Sequence, residues 1–542
     1  MSHALHGDHL AQLGVKILLV GDEIGSVVVA VCFAIIDPEV DHETSDHSFH
    51  IDPETVVPAG LAFLDDYRRA PGPFCSVIIE PVTDTLFQPL HVDLLKDLSH
   101  DSMTWSRNQA RTVDSIHNDM PELKPQVFPI RSQTACLLKW AWSTVYLGQG
   151  TSSSCHRTDQ RPIPVDDFAS FHNLPNKIRA REMMRRDEWP QEGCQYCEKI
   201  EKAGGTSDRQ YQLLMQHDLD RTPPELIIDP DTNEVTPTIL EVYFNNVCNM
   251  ACLYCGSHFS TKWEEENRRF GVFKQDGVNF GYNQDWNPNY DKMLADFWQY
   301  LHEKDRYRHI RYYQILGGEP FFQREFDMSL DFWESHPNPE LTFNIITNLK
   351  VPPKKFRDYI DRFGRMVEAG ALKRLQITGS IDAWGPQEEY VRWGLDLQEW
   401  RENWEYLLDK PFVVQCVNAA ITGLTIKTAP DLIELINHWN DQRPEWNQIS
   451  YSFMSAMTPP ELVPDIFGSG VFEEDFKRIL SVMRENNPSE INAKEHMRGI
   501  MRQITSAPRQ LDRIRDLRTY LTEIDRRRGT NWQSLFPWLV DV

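Results

Sequence analysis

Short apolar segments alternate with amphipathic ones between residue 236 and about residue 460. Six runs are rich in β-branched or aromatic residues, as buried strands are: TILEVYFNN, YYQILGG, TFNIITN, RLQITGSID, FVVQCVNAAI and ISYSFMSA. Longer segments between them, among them DKMLADFWQYLHEK, KKFRDYIDRFGRMVEAG and PDLIELINHWNDQ, repeat apolar residues at the helical period. Repeated strand-then-helix order predicts an α/β fold with a parallel sheet, and six strands fit a partial (β/α)6 TIM-type barrel better than a doubly wound sheet.

The regions on either side of this array have different patterns. Residues 1–122 contain strand-like runs, KILLVG, VVVAVCFAII and CSVIIEPV, which predict an N-terminal α/β domain whose role stays open. In residues 123–235, β-rich runs flank the turn GQGTSS and predict a hairpin, and a helix follows around NKIRAREMMRRDEWP. We therefore expect these two domains, then a barrel over residues 236–465 and an arginine-rich helical extension over residues 466–542.

Charge and hydropathy narrow the class of protein. The longest apolar stretch, Leu13 to Ile36, is interrupted by Lys16, Asp22 and Glu23, so no charge-free segment is long enough to span a bilayer. The formal net charge of -24 argues against general nucleic-acid binding, because an acidic field repels phosphate. We expect a cytoplasmic protein, in which thiols stay reduced and clustered cysteines indicate metal sites rather than disulfides.

Three of the ten cysteines, Cys248, Cys252 and Cys255, lie in VCNMACLYC, directly after the first strand of the array. Ligand sites of parallel α/β folds lie at the carboxyl ends of the strands, so this is the position of a reaction centre. Three thiolates can hold three irons of a 4Fe-4S cluster and leave the fourth iron open. The alternative is a zinc site of these three cysteines and His258.

A second motif, ILGGEPFF, ends the second strand of the array. Gly317 and Gly318 lack side chains, so a ligand can approach the backbone closely. Glu319 then offers a carboxylate to a cationic group. The alternative is a plain turn between a strand and a helix, and the cysteine triad one strand earlier favours a ligand site over such a turn.

The two motifs together resemble those of the radical S-adenosylmethionine (SAM) superfamily. CNMACLYC matches the cluster motif, with Tyr254 before the last cysteine, and GGEP matches the second-strand motif. The resemblance implies a catalytic 4Fe-4S cluster on the three cysteines, with SAM bound to the open iron. It further implies that an electron, supplied by a donor such as flavodoxin or ferredoxin, cleaves SAM to methionine and a 5′-deoxyadenosyl radical, which abstracts hydrogen from a substrate.

The same resemblance assigns further residues to SAM. The GGE segment would receive its ammonium group and the tyrosine would border its adenine. Residues ending the third and fourth strands would face the mouth of the barrel, and an arginine would lie near the SAM carboxylate. The positions assigned in this way are Tyr254, Gly317, Gly318, Glu319, Pro320, Asn348, Ser380, Asp382 and Arg392. An ordinary turn or a surface salt bridge stays the alternative for the last three.

Four further cysteines lie upstream of the array: Cys136, Cys155, Cys194 and Cys197. Four thiolates fit either a closed zinc site or a second 4Fe-4S cluster. The hairpin with a cysteine at each end, followed by the pair in GCQYC, resembles the SPASM/twitch auxiliary-cluster domain, which in most such enzymes follows the barrel and here precedes it. The resemblance implies an auxiliary 4Fe-4S cluster, with zinc and unrelated cysteines as alternatives.

The expected activity follows from these resemblances. SPASM/twitch enzymes mostly act on peptides or proteins, which implies a peptide or protein substrate, with a small molecule such as a sugar, cofactor or nucleoside as the alternative. The non-enzymatic alternative is a binding protein stabilised by two zinc sites. That alternative explains the cysteines but leaves Gly317–Pro320 without a role.

Overall fold

The computed structural model describes two parts of the chain. Near the N-terminus these are residues 3–4, 15–21, 27–33 and 75–80; the remainder is residues 132–542, with gaps at 156, 192, 203–206, 208, 211–226, 230, 233, 276–277, 281–285, 445–446 and 457–458. The chain divides into two compact units, Met1–Met103 and Thr104–Val542. Within the described residues, no helix is long and apolar enough to cross a bilayer.

The first unit contains a four-stranded antiparallel sheet. Its strands are β1 His3–Ala4, β2 Val15–Gly21, β3 Val27–Phe33 and β4 Cys75–Glu80, hydrogen-bonded in chain order. The last three coincide with the three strand-like runs of the sequence, which confirms those strand predictions.

The second unit is mixed α/β and is built on a nine-stranded, mostly parallel sheet. The strands of this unit, inside and outside that sheet, are β5 Trp142–Tyr146, β6 Thr151–Ser153, β7 Arg161–Pro162, β8 Ile239–Tyr243, β9 Phe273–Gln275, β10 Val278–Phe280, β11 Tyr312–Leu316, β12 Asn338–Thr347, β13 Leu372–Ser380, β14 Val413–Ile421 and β15 Ser450–Ser455. The sheet order is β15-β14-β13-β12-β11-β8-β5-β6-β7, while β9 and β10 form a separate hairpin. The six strands predicted for the array are β8 and β11 to β15, and all their pairings are parallel.

Helices cover the segments between these strands and continue to the C-terminus. They are α1 Leu137–Ala141, α2 Pro175–Arg185, α3 Gln195–Lys202, α4 Thr261–Phe270, α5 Tyr290–His302, α6 Arg324–Ser335, α7 Pro353–Glu368, α8 Pro386–Val391, α9 Leu397–Tyr406, α10 Ala429–Asn440, α11 Glu473–Val482, α12 Pro488–Ser506, α13 Leu511–Arg528, α14 Trp532–Leu535 and α15 Trp538–Asp541. The three amphipathic segments that the sequence predicts to be helical correspond to α5, α7 and α10, which confirms these helix predictions.

The two faces of the parallel sheet differ in polarity. Apolar side chains such as Leu240, Ile315 and Phe343 are fully buried in one core with helix residues such as Phe297 and Phe363. Because side chains alternate along a strand, the intervening residues belong to the other face. Every second position of β14 is only partly buried, as this alternation requires.

The second face is joined across five strands by side-chain hydrogen bonds. Glu241 on β8 accepts hydrogen bonds from Thr144 on β5, at 2.8 Å, and from Gln314 on β11. Gln314 in turn accepts from Asn344 on β12 at 2.6 Å, and Asn344 accepts from Thr378 on β13 at 3.0 Å. Buried polar groups that satisfy one another in this way fix the register of the strands, since a slip by one residue would leave them unpaired.

The predicted hairpin departs from expectation in two respects. We expected the hairpin to belong to a separate domain. Strand β5 instead pairs in parallel with β8, so the hairpin extends the parallel sheet. The segment before β5 forms the short helix α1, so Cys136 lies at a helix start instead of a strand end. Parallel pairing of segments about a hundred residues apart leaves no local pattern in the sequence, which is why it was not predicted.

Candidate functional site at the carboxyl ends of the strands

The loop that carries Cys248, Cys252 and Cys255 follows β8 and is fixed by backbone hydrogen bonds. The N–H groups of Ala251 and Leu253 donate to the carbonyl oxygens of Trp393 and Val391, both at 2.8 Å. The three cysteines form no disulfide and are partly exposed. Their thiols lie near enough to one another to interact electrostatically. These hydrogen bonds hold the loop so that it presents three sulfur atoms to one neighbourhood.

Two helices hold the same loop from its other side. The indole N–H of Trp263, on α4, donates to the carbonyl oxygen of Cys252 at 2.8 Å. Tyr520, on α13, donates its hydroxyl to the carbonyl oxygen of Leu253 at 2.9 Å. The guanidinium of Arg528 on α13 also lies 4.8 Å from the ring centre of Trp263, as in a cation–π contact. The C-terminal helices therefore help to position the cysteine loop, a role that the sequence did not indicate.

The environment of these thiols suits a bound cation. Burial raises the pKa of Cys252 to about 12, although Arg392 opposes this shift, and burial raises the pKa of Cys255 to about 11. Burial and the two neighbouring cysteines raise the pKa of Cys248 as well. Free thiols here stay protonated at neutral pH. A metal centre supplies the positive charge that deprotonates its cysteine ligands, so the residues fit a metal–thiolate site.

The two predicted motifs are in direct contact. The N–H of Glu319 donates to the carbonyl oxygen of Val247, which precedes the first cysteine, at 2.7 Å. Gly318 has a φ of +61°, and a Cβ atom there would lie 2.3 Å from the same oxygen. A Cβ atom on Gly317, whose φ is +84°, would lie 2.4 Å from the ring of Tyr243. Glycine is therefore required at both positions for this turn to approach the cysteine loop.

Glu319 connects the ends of β11 and β12. Its side chain has no exposed surface, and Thr347 Oγ1 donates to Oε1 at 2.8 Å while the N–H of Asn348 donates to Oε2 at 2.7 Å. Burial raises the pKa of Glu319 to about 7, and these hydrogen bonds oppose the shift. Pro320 is buried in the 3-10 turn Pro320–Phe322 that follows.

Asn348 connects the end of β12 to the cysteine loop. Its amide nitrogen donates to Asn249 Oδ1 at 2.9 Å and lies 3.9 Å from the sulfur of Cys248. The structure thus brings Asn348, Glu319 and the first cysteine together, as expected of residues that end neighbouring parallel strands.

Asp382 and Arg392 lie together in a buried hydrogen-bond network. Asp382 has no exposed surface. Its Oδ1 accepts from Arg392 Nη2 and from the N–H of Ala420, both at 2.8 Å, and its Oδ2 accepts from the hydroxyl of Tyr254 at 2.6 Å. Asp382 is therefore a buried support of Tyr254, and its contact with SAM stays a prediction.

Glu388 is a member of this buried network that the sequence analysis missed. Its Oε1 accepts from the N–H of Asp382 at 2.8 Å and lies 3.1 Å from Arg392 Nε. Burial, and then the neighbouring Asp382, raise the pKa of Glu388. The four-residue spacing of Glu388 and Arg392, which would place both side chains on one face of a helix, was the available signal. Ser380, by contrast, is partly exposed at the end of β13, where it is the register partner of Asn418.

The four upstream cysteines also share one neighbourhood. Cys136 starts α1, Cys155 follows β6, and Cys194 and Cys197 lie at the start of α3. Cys136 interacts electrostatically with the other three. The N–H of Arg157 donates to the sulfur of Cys155 at 3.4 Å. The structure thus assembles from distant segments the set that the sequence pattern grouped.

The cysteines do not form single-ion sites. In the part of the chain that the structure describes, no group of three or more His, Cys, Asp or Glu side chains is arranged as ligands of one metal ion. In a 4Fe-4S cluster, each thiolate binds a different iron atom, so the sulfur atoms need not converge on one point. His258, the fourth ligand in the zinc alternative, packs its ring on Phe259 with 4.3 Å between ring centres.

Comparisons with known proteins give distant likenesses. No family model and no curated protein matches the chain. SuiB from Streptococcus suis, bound to precursor peptide SuiA, is 14% identical with a TM-score of 0.28, over 71% of this chain and 69% of that one. SuiB bound to S-adenosylmethionine is 16% identical with a TM-score of 0.29, over 59% and 63%. Native anSMEcpe, with bound AdoMet and the Kp18Cys peptide, is 12% identical with a TM-score of 0.25, over 45% and 57%. Scores this low carry no argument about fold or function.

Proposed function

We propose that the chain is a radical SAM enzyme. The observation that carries the proposal is the contact between the two motifs: the GGE turn after β11 donates a backbone hydrogen bond to the cysteine loop after β8, and Asn348 lies against the first cysteine. A zinc-stabilised binding protein has no need of this contact, whereas a cofactor held by both loops does. The six parallel strands would form the partial barrel whose mouth holds the site.

In this proposal Cys248, Cys252 and Cys255 hold three irons of a 4Fe-4S cluster. When bound, the cluster and SAM supply the 5′-deoxyadenosyl radical that abstracts hydrogen from the substrate. Glu319 receives the ammonium group of SAM. Its Oε2 accepts one hydrogen bond from the chain, and because a carboxylate oxygen can accept two, it can accept a second from the ammonium group. Asn348 holds the cysteine loop against this turn.

The network behind the loop has a supporting role. Tyr254 is fixed by its bond to Asp382, and Arg392 lies within ion-pair distance of both Asp382 and Glu388. We propose that the ring of Tyr254 borders the adenine of SAM in this fixed orientation. Ser380 contacts SAM directly, since it is the partly exposed residue that ends β13.

We further propose that Cys136, Cys155, Cys194 and Cys197 hold an auxiliary 4Fe-4S cluster and that the substrate is a peptide or protein. The support for the cluster is the shared neighbourhood of the four thiols. The support for the substrate class is the resemblance of the cysteine pattern to SPASM/twitch domains. The enzyme would act in the cytoplasm with flavodoxin or ferredoxin as electron donor.

Metal analysis of anaerobically purified protein tests the proposal. Wild type should be brown, with about eight irons and about eight sulfides per chain, and the Cys194→Ala, Cys197→Ala variant should hold about four. Cys416→Ala is the matched control, because Cys416 lies on β14 outside both sets, and it should keep all eight. Colourless protein with stoichiometric zinc would support the binding-protein alternative instead.

A further inference from the structure

Two helices that hold the cysteine loop both end in arginines. The last turn of α4 carries Arg268 and Arg269, and the last turn of α13 carries Arg526, Arg527 and Arg528. Positive side chains in the last turn stabilise a helix, because they complement the partial negative charge at its C-terminus. This effect accounts for arginines on each helix separately. It does not account for the meeting of the two helix ends at one place.

Three of these arginines meet at the ring of Phe270, the last residue of α4. Their guanidinium carbon atoms lie 4.8 Å (Arg269), 5.4 Å (Arg526) and 5.8 Å (Arg527) from the centre of the ring. The face of an aromatic ring attracts a cation, but three like charges this close to one ring repel one another. These three arginines and Phe270 form the arginine patch.

The carboxylates that pair with the patch are less exposed than its surface arginines. Arg526 donates two hydrogen bonds of 2.7 Å to Glu523, and Arg527 donates a third to the same carboxylate, also at 2.7 Å. The side chain of Arg526 is 57% exposed, against 19% for Glu523 and 10% for Glu266, which lies beside Arg527. Arg269 is exposed as well. The surface that a second molecule meets here is therefore positive, on a chain whose formal net charge is -24.

The other charges on the exposed side of α4 cancel in pairs. Glu264 forms an ion pair with Arg268, and Glu265 forms one with Lys262 at 2.8 Å. These pairs add no net charge to the surface beside Phe270, so they leave the arginine patch positive.

Both helices connect the patch to the cysteine loop. Trp263 on α4 and Tyr520 on α13 each donate a hydrogen bond to a carbonyl oxygen of the loop. Phe270 lies seven residues after Trp263, about 10 Å along the helix axis. Arg526 lies six residues after Tyr520, about 9 Å along its own helix. Two hydrogen-bonded routes of similar length therefore lead from the patch to the loop.

We infer that the arginine patch is the docking surface of a small acidic electron-transfer protein of the flavodoxin type, which reduces the proposed cluster. The inference rests on the proposed function, in which each cleavage of SAM consumes one electron. Electron tunnelling weakens steeply with distance, so the donor has to dock close to the cysteine loop. Electron-transfer interfaces are small, and complementary charge guides the partners together. On this acidic chain, the patch attracts an acidic donor that the net charge repels. The donor gives up one electron there, and no bond forms or breaks.

Binding of oxidised flavodoxin to full-length apo protein tests the inference without the cluster. Calorimetry should give a dissociation constant that rises with salt concentration, because salt screens the attraction. Arg269→Glu together with Arg526→Glu should raise this constant about tenfold or more, whereas Arg269→Lys with Arg526→Lys, which keeps the charge, should change it by less than about threefold. Lys477→Glu with Arg478→Glu is the matched control, because it reverses two exposed cations on a different helix, α11, and it should bind flavodoxin as wild type does.

Two reductants separate the docking surface from the chemistry. With dithionite, a small reductant that needs no docking surface, reconstituted wild type and the Arg269→Glu, Arg526→Glu variant should form 5′-deoxyadenosine equally fast. With flavodoxin, its reductase and NADPH, the variant should be slower by about tenfold or more. Equal rates in this second assay overturn the inference and leave the proposed function intact. No product from wild type with dithionite contradicts the proposed function itself.

The binding experiment has its own contrary outcomes. Equal affinity of wild type and the Arg269→Glu, Arg526→Glu variant overturns the inference, and so does wild type that binds no flavodoxin. An oligonucleotide that binds this surface while flavodoxin does not overturns it in favour of a nucleic-acid partner. If the double variant does not fold, Arg269→Glu alone decides, because it breaks none of the ion pairs described above. It should raise the dissociation constant by about threefold or more, and an unchanged constant overturns the inference.

Discussion

The hydroxyl of Tyr520 donates a buried hydrogen bond of 2.9 Å to the backbone carbonyl oxygen of Leu253, which lies between the second and third cysteines of the triad, 267 residues away in the sequence. This bond joins the C-terminal helix α13 to the loop proposed to hold the catalytic cluster. Tyr520→Phe leaves the buried carbonyl oxygen without this donor, so the free energy of unfolding should fall by about 1–3 kcal/mol.

Chemical denaturation of apo protein checks this prediction. Tyr300→Phe is the matched control, because Tyr300 is buried to a similar degree and its hydroxyl has no hydrogen-bond partner in the described part of the chain. The control should change the free energy of unfolding by less than Tyr520→Phe does. Equal effects in both variants would mean that α13 does not support the loop through this bond.

Gly318→Ala tests the close approach of the two motifs. The new Cβ atom would lie 2.3 Å from the carbonyl oxygen of Val247, so the turn after β11 has to move away from the cysteine loop. Gly370→Ala is the control, since Gly370 also has a positive φ, +70°, but a Cβ atom there meets no atom within 4 Å. Both variants carry backbone strain of about 1–2 kcal/mol. Gly318→Ala should show a clearly larger loss in denaturation experiments, and equal losses would contradict the contact.

Arg392→Met tests the buried charge network behind Tyr254. It removes the cation that pairs with Asp382 and Glu388, and an uncompensated buried charge costs about 3–5 kcal/mol. Arg357→Met, which removes an exposed pair with Glu402, should cost less than about 1 kcal/mol. Urea denaturation of the two variants measures the difference. Similar values for both would show that the buried network does not stabilise the fold.

Glu319 should make the stability of the apo protein depend on pH. Burial raises its pKa from the ordinary 4.5 to about 7, so between these values the folded state holds a proton that the unfolded state has lost. The contribution of Glu319 is therefore fully present below pH 4.5 and is lost as pH rises to about 7, a fall of about 3 kcal/mol. Glu319→Gln cannot titrate. The difference in unfolding free energy between wild type and variant should decline over this window, and a difference that stays constant with pH would contradict the shift.

The strands of the parallel array could be predicted from the sequence because each is a compact apolar run between amphipathic helices. Their position placed Cys248 and Glu319 correctly at the strand ends, since the carboxyl ends of parallel strands meet at one edge of a sheet. What could not be predicted depends on contacts between distant segments. The pairing of β5 with β8, and the bond from Tyr520 to Leu253, bring together residues with no shared local pattern.

The supporting role of Asp382 was missed for a similar reason. A polar residue after a strand suggests a ligand contact, whereas the hydrogen bonds of its carboxylate with Tyr254, Arg392 and the N–H of Ala420 are visible only in the structure. Glu388 was missed because a glutamate four residues before an arginine is typical of an exposed helix face. The buried position of this pair follows from the packing of α8 and was not encoded in the local pattern.

Reductive cleavage of SAM tests the central claim most directly. Anaerobically reconstituted wild type, reduced with dithionite and supplied with SAM, should form 5′-deoxyadenosine, measured by chromatography. The variant with Cys248, Cys252 and Cys255 replaced by Ala should form none, while Cys416→Ala should retain the activity. The same product in the triple variant, or no product from wild type that carries its full iron content, would contradict the proposal that these three cysteines hold a SAM-cleaving cluster.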